Sequence, residues 1–320
     1  MSTLLELLKD GRFHSGQALG QALGVSRSAI WKQLQLLEAE LGLVIHKVRG
    51  RGYQLATPIT LLSSAEIGRS SISSGSWDIR ILDSIDSTNA QALRSIEEGS
   101  VAPFLVLAER QTVGRGRRGR KWVSPFAENI YYSLVLRMDG GLRQLEGLSL
   151  VVGLAVMHTL REYGIPDAGL KWPNDVLVGQ KKVAGILLEL VGDPADVCHV
   201  VLGIGINVNM QSAEEIDQEW TSVRLESGKV IDRNQLVARL NEVLVSYLER
   251  HRLNGFSAIQ GEWEQGHLWQ GRAVSLIAGV NKIDGVVLGI DRQGALRLSV
   301  EGEEKTYSGG ELSLRLGDGS

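Results

Sequence analysis

The chain has 320 residues, 43% hydrophobic and 22% charged, with a formal net charge of −3, values that fit a globular protein of about two or three domains and exclude a disordered or fibrous one. A single cysteine, Cys198, set in the apolar run VCHVVLGIGI, excludes a disulfide framework and reads as a buried structural thiol. The opening MSTLLELLKDGRFH lacks the basic stretch and apolar core of a secretory signal, and no later run is long enough to span a bilayer; a cytoplasmic protein with no membrane contact is expected.

Charge is uneven along the chain. Residues 1–57 carry seven Lys/Arg against four Asp/Glu, a net +3 that leaves −6 for the remainder. This segment reads as a short helix, STLLELLKD, a second helix in SGQALGQALG, the tight turn GVS, and a third helix from Arg27 to about Glu40 with Ser26 as its N-cap. LVIHKVRGRGYQL then alternates apolar and polar residues around a basic tip, a two-stranded wing. Together these predict a winged helix-turn-helix over residues 1–60. Ser26, Arg27, Ser28, Trp31, Lys32 and Gln35 on the recognition helix, with Arg49 and Arg51 on the wing, are the candidate contacts to operator DNA. Thr57-Pro58 and the serine-rich SISSGS mark the linker region.

Between residues 65 and 270, strand-like runs (IRIL, FLVLAERQ, NIYYSLVLR, GLKWPNDVLV, KVAGILLELV and VCHVVLGIGINV) alternate with helical segments at Ser87–Glu98, Gln144–Tyr163 and Arg233–Leu253. A central mixed-sheet α/β domain is predicted, with the second helix, apolar nearly all round, at its centre. From 271 to 320 the short runs AVSLIA, GVVLGI, ALRLSV and LSLRL predict a small, SH3-like β-barrel. The whole is an α+β multidomain chain.

The densest chemical signal is GRGRRGRKW at 114–122, four arginines and a lysine among three glycines. Arginine forks and a compliant glycine backbone make this a clamp for phosphate or carboxylate. The same letters satisfy the G-x-G-x-x-G dinucleotide fingerprint, but the following KWVSPFAENIYYSLVLRM holds a proline and a strand where that motif needs a helix. Three further clusters bear on chemistry. Lys171-Trp172-Pro173-Asn174-Asp175 is a turn projecting an amide and a carboxylate beside a lysine; Lys182 stands at the mouth of an apolar strand with Gly185 close by; and Gly203-Ile204-Gly205-Ile206-Asn207 is a strand with two glycines on one face, room for a flat ligand. No serine elbow, Walker A sequence or His/Cys pair at metal-ligand spacing is present, and no protein metal site is expected. His158, Trp220, Trp263 and Trp269 are expected to pack, His158 within the core, and Arg118 and Lys121 to face solvent.

In that order, and preceded by DSTN at 86–89, these motifs resemble the biotin protein ligase family. With the winged segment and the terminal GGELSLRL, the resemblance runs nearly the whole length and points to the family's bifunctional ligase/repressors. It implies that biotin's carboxylate attacks the α-phosphate of ATP to form biotinyl-5′-adenylate, from which a lysine of the biotin carboxyl carrier protein of acetyl-CoA carboxylase displaces AMP. By the same resemblance Arg115 and Arg117 hold carboxylate and α-phosphate, Arg120 meets the departing phosphates, and Lys182 bridges the reactants. Biotin would lie against Ser87, Thr88, Asn89, Gln111, Gly114, Gly185, Gly203 and Gly205. The nucleotide would meet Trp122, Asn174, Asp175, Asn207 and Arg315. Asp175 either assists deprotonation of the incoming lysine or orients it. Mg2+ is expected with ATP, and a homodimer on adenylate binding. The competing readings are a lipoyl-type ligase, against which the compact GRGRRG loop argues, and a non-catalytic regulator sensing a small carboxylate, against which Lys182, Asp175 and the loop arginines argue. A glycine-arginine loop of this kind is expected to order over its ligands. Backbone amides of residues 112–124 should therefore gain protection from hydrogen exchange on addition of biotin and ATP; unchanged exchange would mean a preformed loop.

Overall fold

The computed structural model describes residues 3–70, 77–139, 141–309 and 312–317. At the N-terminus, α1 (Thr3–Leu8), α2 (Gly16–Leu23) and α3 (Arg27–Leu41) pack on the hairpin β1 (Ile45–Val48) and β2 (Gly52–Leu55). Local chemistry sets these boundaries. Ser15 Oγ accepts from Ala18 N at 3.0 Å to start α2, Gly24 closes it in the left-handed region, and Ser26 Oγ accepts from Ala29 N at 3.2 Å to start α3. Leu4, Leu5, Leu8, Leu19, Ile30, Leu34 and Tyr53 make the core, and Leu61, Phe126 and Ala127 of the following segments pack into it. The SISSGS part of the expected linker, at 71–76, lies outside the described residues.

After α4 (Ser64–Ser70) come β3 (Asp78–Leu82), α5 (Thr88–Glu97), β4 (Phe104–Ala108), β5 (Ile130–Met138), α6 (Leu148–Glu162), β6 (Ala168–Lys171), β7 (Asp175–Val178), β8 (Lys181–Gly192) and β9 (Cys198–Ile206). The seven strands form one mixed sheet in the order β3-β4-β5-β9-β8-β7-β6, parallel only between β3 and β4. α7 (Val223–Ser227) and α8 (Arg233–Asn254) follow, the latter started by Asp232 as expected. α6, buried through most of its length, packs with α8 on the face that carries Leu105, Leu107, Leu134 and Leu202. α5 covers the opposite face at Phe104, Val106, Val135 and Val201. Alternate residues of each strand are therefore apolar on both sides, which is why the strands read as continuous apolar runs.

α6 starts later than the sequence pattern indicates, at Leu148 rather than Gln144, which sits in a separate 3-10 turn. The reason is Gly147: its backbone is left-handed (φ 62°), and a Cβ there would lie 2.3 Å from the Phe256 ring. His158 is also not the core histidine expected, for its side chain is 38% exposed and its Nε2 lies 3.2 Å from Glu262.

α9 (Gln260–Gly266) leads to five antiparallel strands, β10 (Ala273–Ala278), β11 (Asn281–Ile290), β12 (Leu296–Val300), β13 (Glu303–Tyr307) and β14 (Leu312–Leu316), in the order β13-β12-β11-β10-β14. β13, EEKTY, has no apolar alternation because it is almost wholly exposed, so it escaped the sequence pattern.

The join between the N-terminal and central parts is polar and buried. Glu109, just past β4, and Arg233, at the start of α8, are both inaccessible to solvent and lie 2.6 Å apart. Glu109 Oε1 also accepts from Leu62 N, Arg233 donates to Thr60 O and Asn129 O, and Asn234 donates to Leu61 O. Removing one partner of such a buried pair strands the other, at a cost of about 3–5 kcal/mol.

His267 is 5% exposed, stacks on Trp263 with ring centroids 4.8 Å apart, and forms no well-aligned hydrogen bond through either ring nitrogen. Burial pushes its pKa down to about 4. The unfolded chain takes up this proton near pH 6.5, whereas the folded chain resists it until about pH 4, so the stability present above pH 6.5 declines as pH falls between those values. Denaturant titrations at pH 7 and 4.5 should show a loss of about 3 kcal/mol at most from this residue, smaller in a His267→Leu variant; equal losses would assign the acid sensitivity elsewhere.

Candidate active site

The first turn of α5 presents the DSTN residues to the centre of the sheet. Asp86 takes a two-pronged contact from Arg94, both at 2.8 Å, and that hydrogen bonding lowers its pKa to about 2. Its Oδ1 also accepts from Ser87 N at 2.8 Å, which fixes the entry to the helix. Thr88 donates to Gln111 Oε1 from both N and Oγ1, at 2.9 and 3.2 Å, and Gln111 Nε2 reaches Ser124 Oγ at 3.1 Å. Asn89 donates to Glu189 at 2.7 Å and accepts from Ser133 Oγ at 2.6 Å. Ser133 and Glu189 were not anticipated. Ser133 is the one serine in the apolar core of β5 and sits opposite Gly203 in register, a signal visible in IYYSLVLRM once the pairing is known.

Gly203 and Gly205 on β9, with Gly185 on β8, are small because other groups stand over them. A Cβ on Gly203 would fall 2.4 Å from Asn89 Oδ1, and one on Gly205 2.5 Å from the Trp122 indole. Ser87, Thr88, Asn89, Gln111, Arg115, Arg117, Trp122, Asn174, Lys182 and the three glycines line one narrow pocket, with Tyr131, Tyr132, Ile186 and Ile204 as its apolar wall. Gly114 lies outside it and serves the loop turn, where a Cβ would meet Trp122 O at 2.4 Å.

Residues 114–122 close into a tight loop in which Gly116 N donates to Arg120 O at 2.7 Å and Trp122 N to Gly114 O at 2.9 Å. Arg115 is 3.2 Å from Glu189, and Arg117 donates to Asn174 Oδ1 at 2.8 Å. Asn174 Nδ2 in turn donates to Ile186 O at 2.7 Å. Trp122 lies against the Lys182 ammonium, 5.5 Å from ring centroid to Nζ, and its Nε1 is buried without a hydrogen-bond partner. Lys121 faces solvent as expected, paired with Glu215 at 2.7 Å.

The KWPND turn joins β6 to β7 and pairs Lys171 with Asp175 across the ladder. Lys182 Nζ is 2.6 Å from Asp175 Oδ1, off the line of a well-formed hydrogen bond, and Lys171 Nζ is 3.8 Å from Oδ2. Burial lowers the Lys171 pKa. A cavity of about 240 Å3 next to the first pocket is lined by Arg117, Arg120, Trp122, Lys171, Asn174, Asp175 and Lys182, with Leu312–Leu314 of β14. Arg315 lines a further cavity together with Arg120, Lys171 and Lys182. Asn207 is the exception among the expected nucleotide residues. It is 3% exposed, lies outside these cavities, and spends its amide on Thr221 O at 3.1 Å and Lys182 O at 3.5 Å, holding the strand that carries Lys182.

On the winged part, Arg27, Ser28, Trp31, Lys32, Gln35, Arg49 and Arg51 are all exposed; Ser26 is exposed as well, with its hydroxyl engaged in capping. Lys47 Nζ stands 5.7 Å from the centroid of the Trp31 ring, which ties the wing to the recognition helix. No helix among the described residues is long and apolar enough to cross a membrane.

Fold and site together define a winged helix-turn-helix protein whose central α/β domain carries a cleft lined by lysines and arginines. Residues 81–207 match the biotin/lipoate A/B protein ligase family, 1–54 an HTH domain, and 271–315 the biotin protein ligase C-terminal domain. The chain is 43% identical over 315 residues to the bifunctional ligase/repressor BirA of Salmonella typhimurium, covering 98% of this chain and 97% of that protein, and 42% identical to BirA of Escherichia coli, covering 98% and 96%. Among solved structures it is similar to the Aquifex aeolicus biotin protein ligase in complex with biotin and ATP, with a TM-score of 0.66 and 33% identity over 75% of this chain and 99% of that one. The chain belongs to the biotin protein ligase family.

A Gly203→Ala variant must displace Asn89 from its bonds to Ser133 and Glu189. A loss of about 1–3 kcal/mol in urea unfolding is expected, and a neutral result would show that the contact yields freely.

Proposed function

We propose that this chain is an ATP-dependent, AMP-forming biotin protein ligase that also represses transcription of a biotin operon when its adenylate is bound. The observation that carries the reading is Lys182, whose side chain lines the narrow DSTN pocket and both cationic cavities at once. A carboxylate and an ATP α-phosphate repel each other, and a cation placed between them offsets the charge that builds up in the transition state.

In this reading biotin's ureido ring lies against Ser87, Thr88, Gln111 and the glycines of β8 and β9. Its carboxylate takes Arg115 in exchange for Glu189, and Arg117 with Lys182 holds the α-phosphate. A carboxylate oxygen bonds to phosphorus, and pyrophosphate leaves with the electron pair of the broken phosphoanhydride bond. An acceptor lysine nitrogen then attacks the acyl carbon, and AMP departs. That lysine must first lose a proton, and Asp175, beside Lys182, either assists that loss or orients the amine. Trp122 covers the adenine side. Mg2+ would enter on the ATP phosphates, whose hard oxygens suit it. The acceptor is the biotin carboxyl carrier protein of acetyl-CoA carboxylase, the setting cytoplasmic. The domains divide at 1–60, 65–270 and 271–320, and adenylate-driven dimers present two winged helices to the operator.

Purified protein with ATP, magnesium, labelled biotin and a carrier domain should label the carrier. Lys182→Ala should slow adenylate formation by about a hundred- to a thousand-fold. Biotin binding without transfer by the unaltered chain would favour a sensor-repressor, and absence of biotin binding would return the substrate to lipoate or another carboxylate.

A further inference from the structure

We propose that Trp31 is a specificity-determining residue of operator recognition, reading the 5-methyl group of a thymine in the major groove of each half-site. The inference rests on the operator-binding half of the reading above and names what one residue of the recognition helix selects.

Trp31 is the one exposed tryptophan of the chain's seven: it is 40% accessible, whereas Trp172, Trp263 and Trp269 are buried and the other three half-buried. The helix explains why it does not turn inward. α3 buries Ile30, Leu34 and Leu37 along one face, and each residue advances about 100° around the axis, so Trp31 falls off that stripe onto the side that carries Ser28 and Gln35. The wing approaches the same residue. Lys47 Nζ, on β1, stands 5.7 Å from the centroid of the indole ring, and Glu38, seven residues further along α3, accepts from Ile45 N of that strand at 3.2 Å. The ring is thus steadied between recognition helix and wing, in the open, instead of joining the core.

Leaving so large an apolar surface in water is unfavourable, and its neighbours narrow what can cover it. Arg27, Lys32 and Lys47 are exposed beside it, and residues 1–57 carry seven Lys/Arg against four Asp/Glu. Cations of this kind seek phosphate and hold a helix against the groove without regard to sequence. In the major groove the base edges present hydrogen-bond donors and acceptors and a single apolar group, the thymine 5-methyl. Trp31 lies in the second turn of α3, within the N-terminal part of a recognition helix that meets base edges. Ser28 and Gln35 on the same side suit polar edges, and the indole ring has only the methyl to bury against. The cations therefore supply affinity, and Trp31 supplies preference.

The test uses the full-length chain with biotinyl-5′-adenylate. Binding sites are selected from a pool of random-sequence duplex DNA, and each thymine of a selected duplex is then replaced singly by deoxyuridine, which removes only the methyl. Loss of one methyl in each half-site is expected to weaken binding by the unaltered chain about four-fold, and Trp31→Gln should bind the thymine and uracil duplexes alike. Trp31→Phe, which keeps an apolar ring, should retain part of the discrimination. A residue that only braces the wing would lower affinity for every duplex equally and leave the thymine-to-uracil ratio as it was. An unchanged ratio in Trp31→Gln, or selected sites indifferent to every thymine methyl, overturns the proposal. If the variants do not fold, the unaltered chain decides: duplexes carrying photoreactive 5-iododeoxyuridine at the sensitive thymine should crosslink to Trp31 under illumination, and crosslinks confined to other residues refute the contact. An unaltered chain that enriches no sequence from the pool would instead refute the operator-binding reading, a distinct result.

Discussion

Asp175 is shared by Lys182 at 2.6 Å and Lys171 at 3.8 Å, and the site is organised around that shortage of negative charge. Two like charges 4 Å apart repel by about 4 kcal/mol at an effective dielectric constant near 20, so cations do not converge without a scaffold to hold them. Here Lys171 ends β6, Asp175 begins β7 and Lys182 lies near the start of β8, three adjacent antiparallel strands whose ladder sets their spacing. The loop arginines face the same cleft from the other side of the chain, and Arg117 is steadied by Asn174 from the same KWPND turn.

The glycine strand answers a complementary need. On β9, Gly203 and Gly205 leave room for Asn89 and Trp122 to lie directly on the sheet, and the hydroxyl of Ser133 reaches Thr88 and Asn89 from the neighbouring strand. Donors and acceptors are thereby fixed along one rim of the groove, while the cleft beyond Lys182 gathers Arg120, Lys171 and Arg315. Preorganised polar groups of this kind need little rearrangement when charge shifts during reaction.

The winged part is attached close to this machinery. Glu109 pairs with Arg233 and binds the linker backbone at Leu62, while Phe126 and Ala127, which follow the arginine loop, pack into the winged core. Arg110, next to Gln111, also donates to Glu40 O at the end of α3. The segment that carries the arginine loop is thus bounded at both ends by contacts to the winged part.

Much of this was legible in the sequence. Capping residues, the basic wing, the alternation of strands and helices and the order of the motifs are local patterns, and local patterns determine which segments become helix or strand and which chemistry each can carry. The arginine loop could be read as a candidate anion clamp because a buried segment would not tolerate such charge density without partners. Partner choice was not legible. That Asn207 turns inward to backbone carbonyls, that Arg115 meets Glu189, that Ser133 bonds to Thr88 and Asn89 and that Arg315 lines a cavity with Lys171 all depend on strand register and on the meeting of segments more than a hundred residues apart for Arg315 and Lys171. So does the late start of α6, set by a ring from Phe256. Sequence by itself determined the elements and the kind of charge at the site; tertiary structure alone decided which of those charges face one another, because a side chain's partners follow from how the sheet pairs and the domains pack, distances that no local window contains.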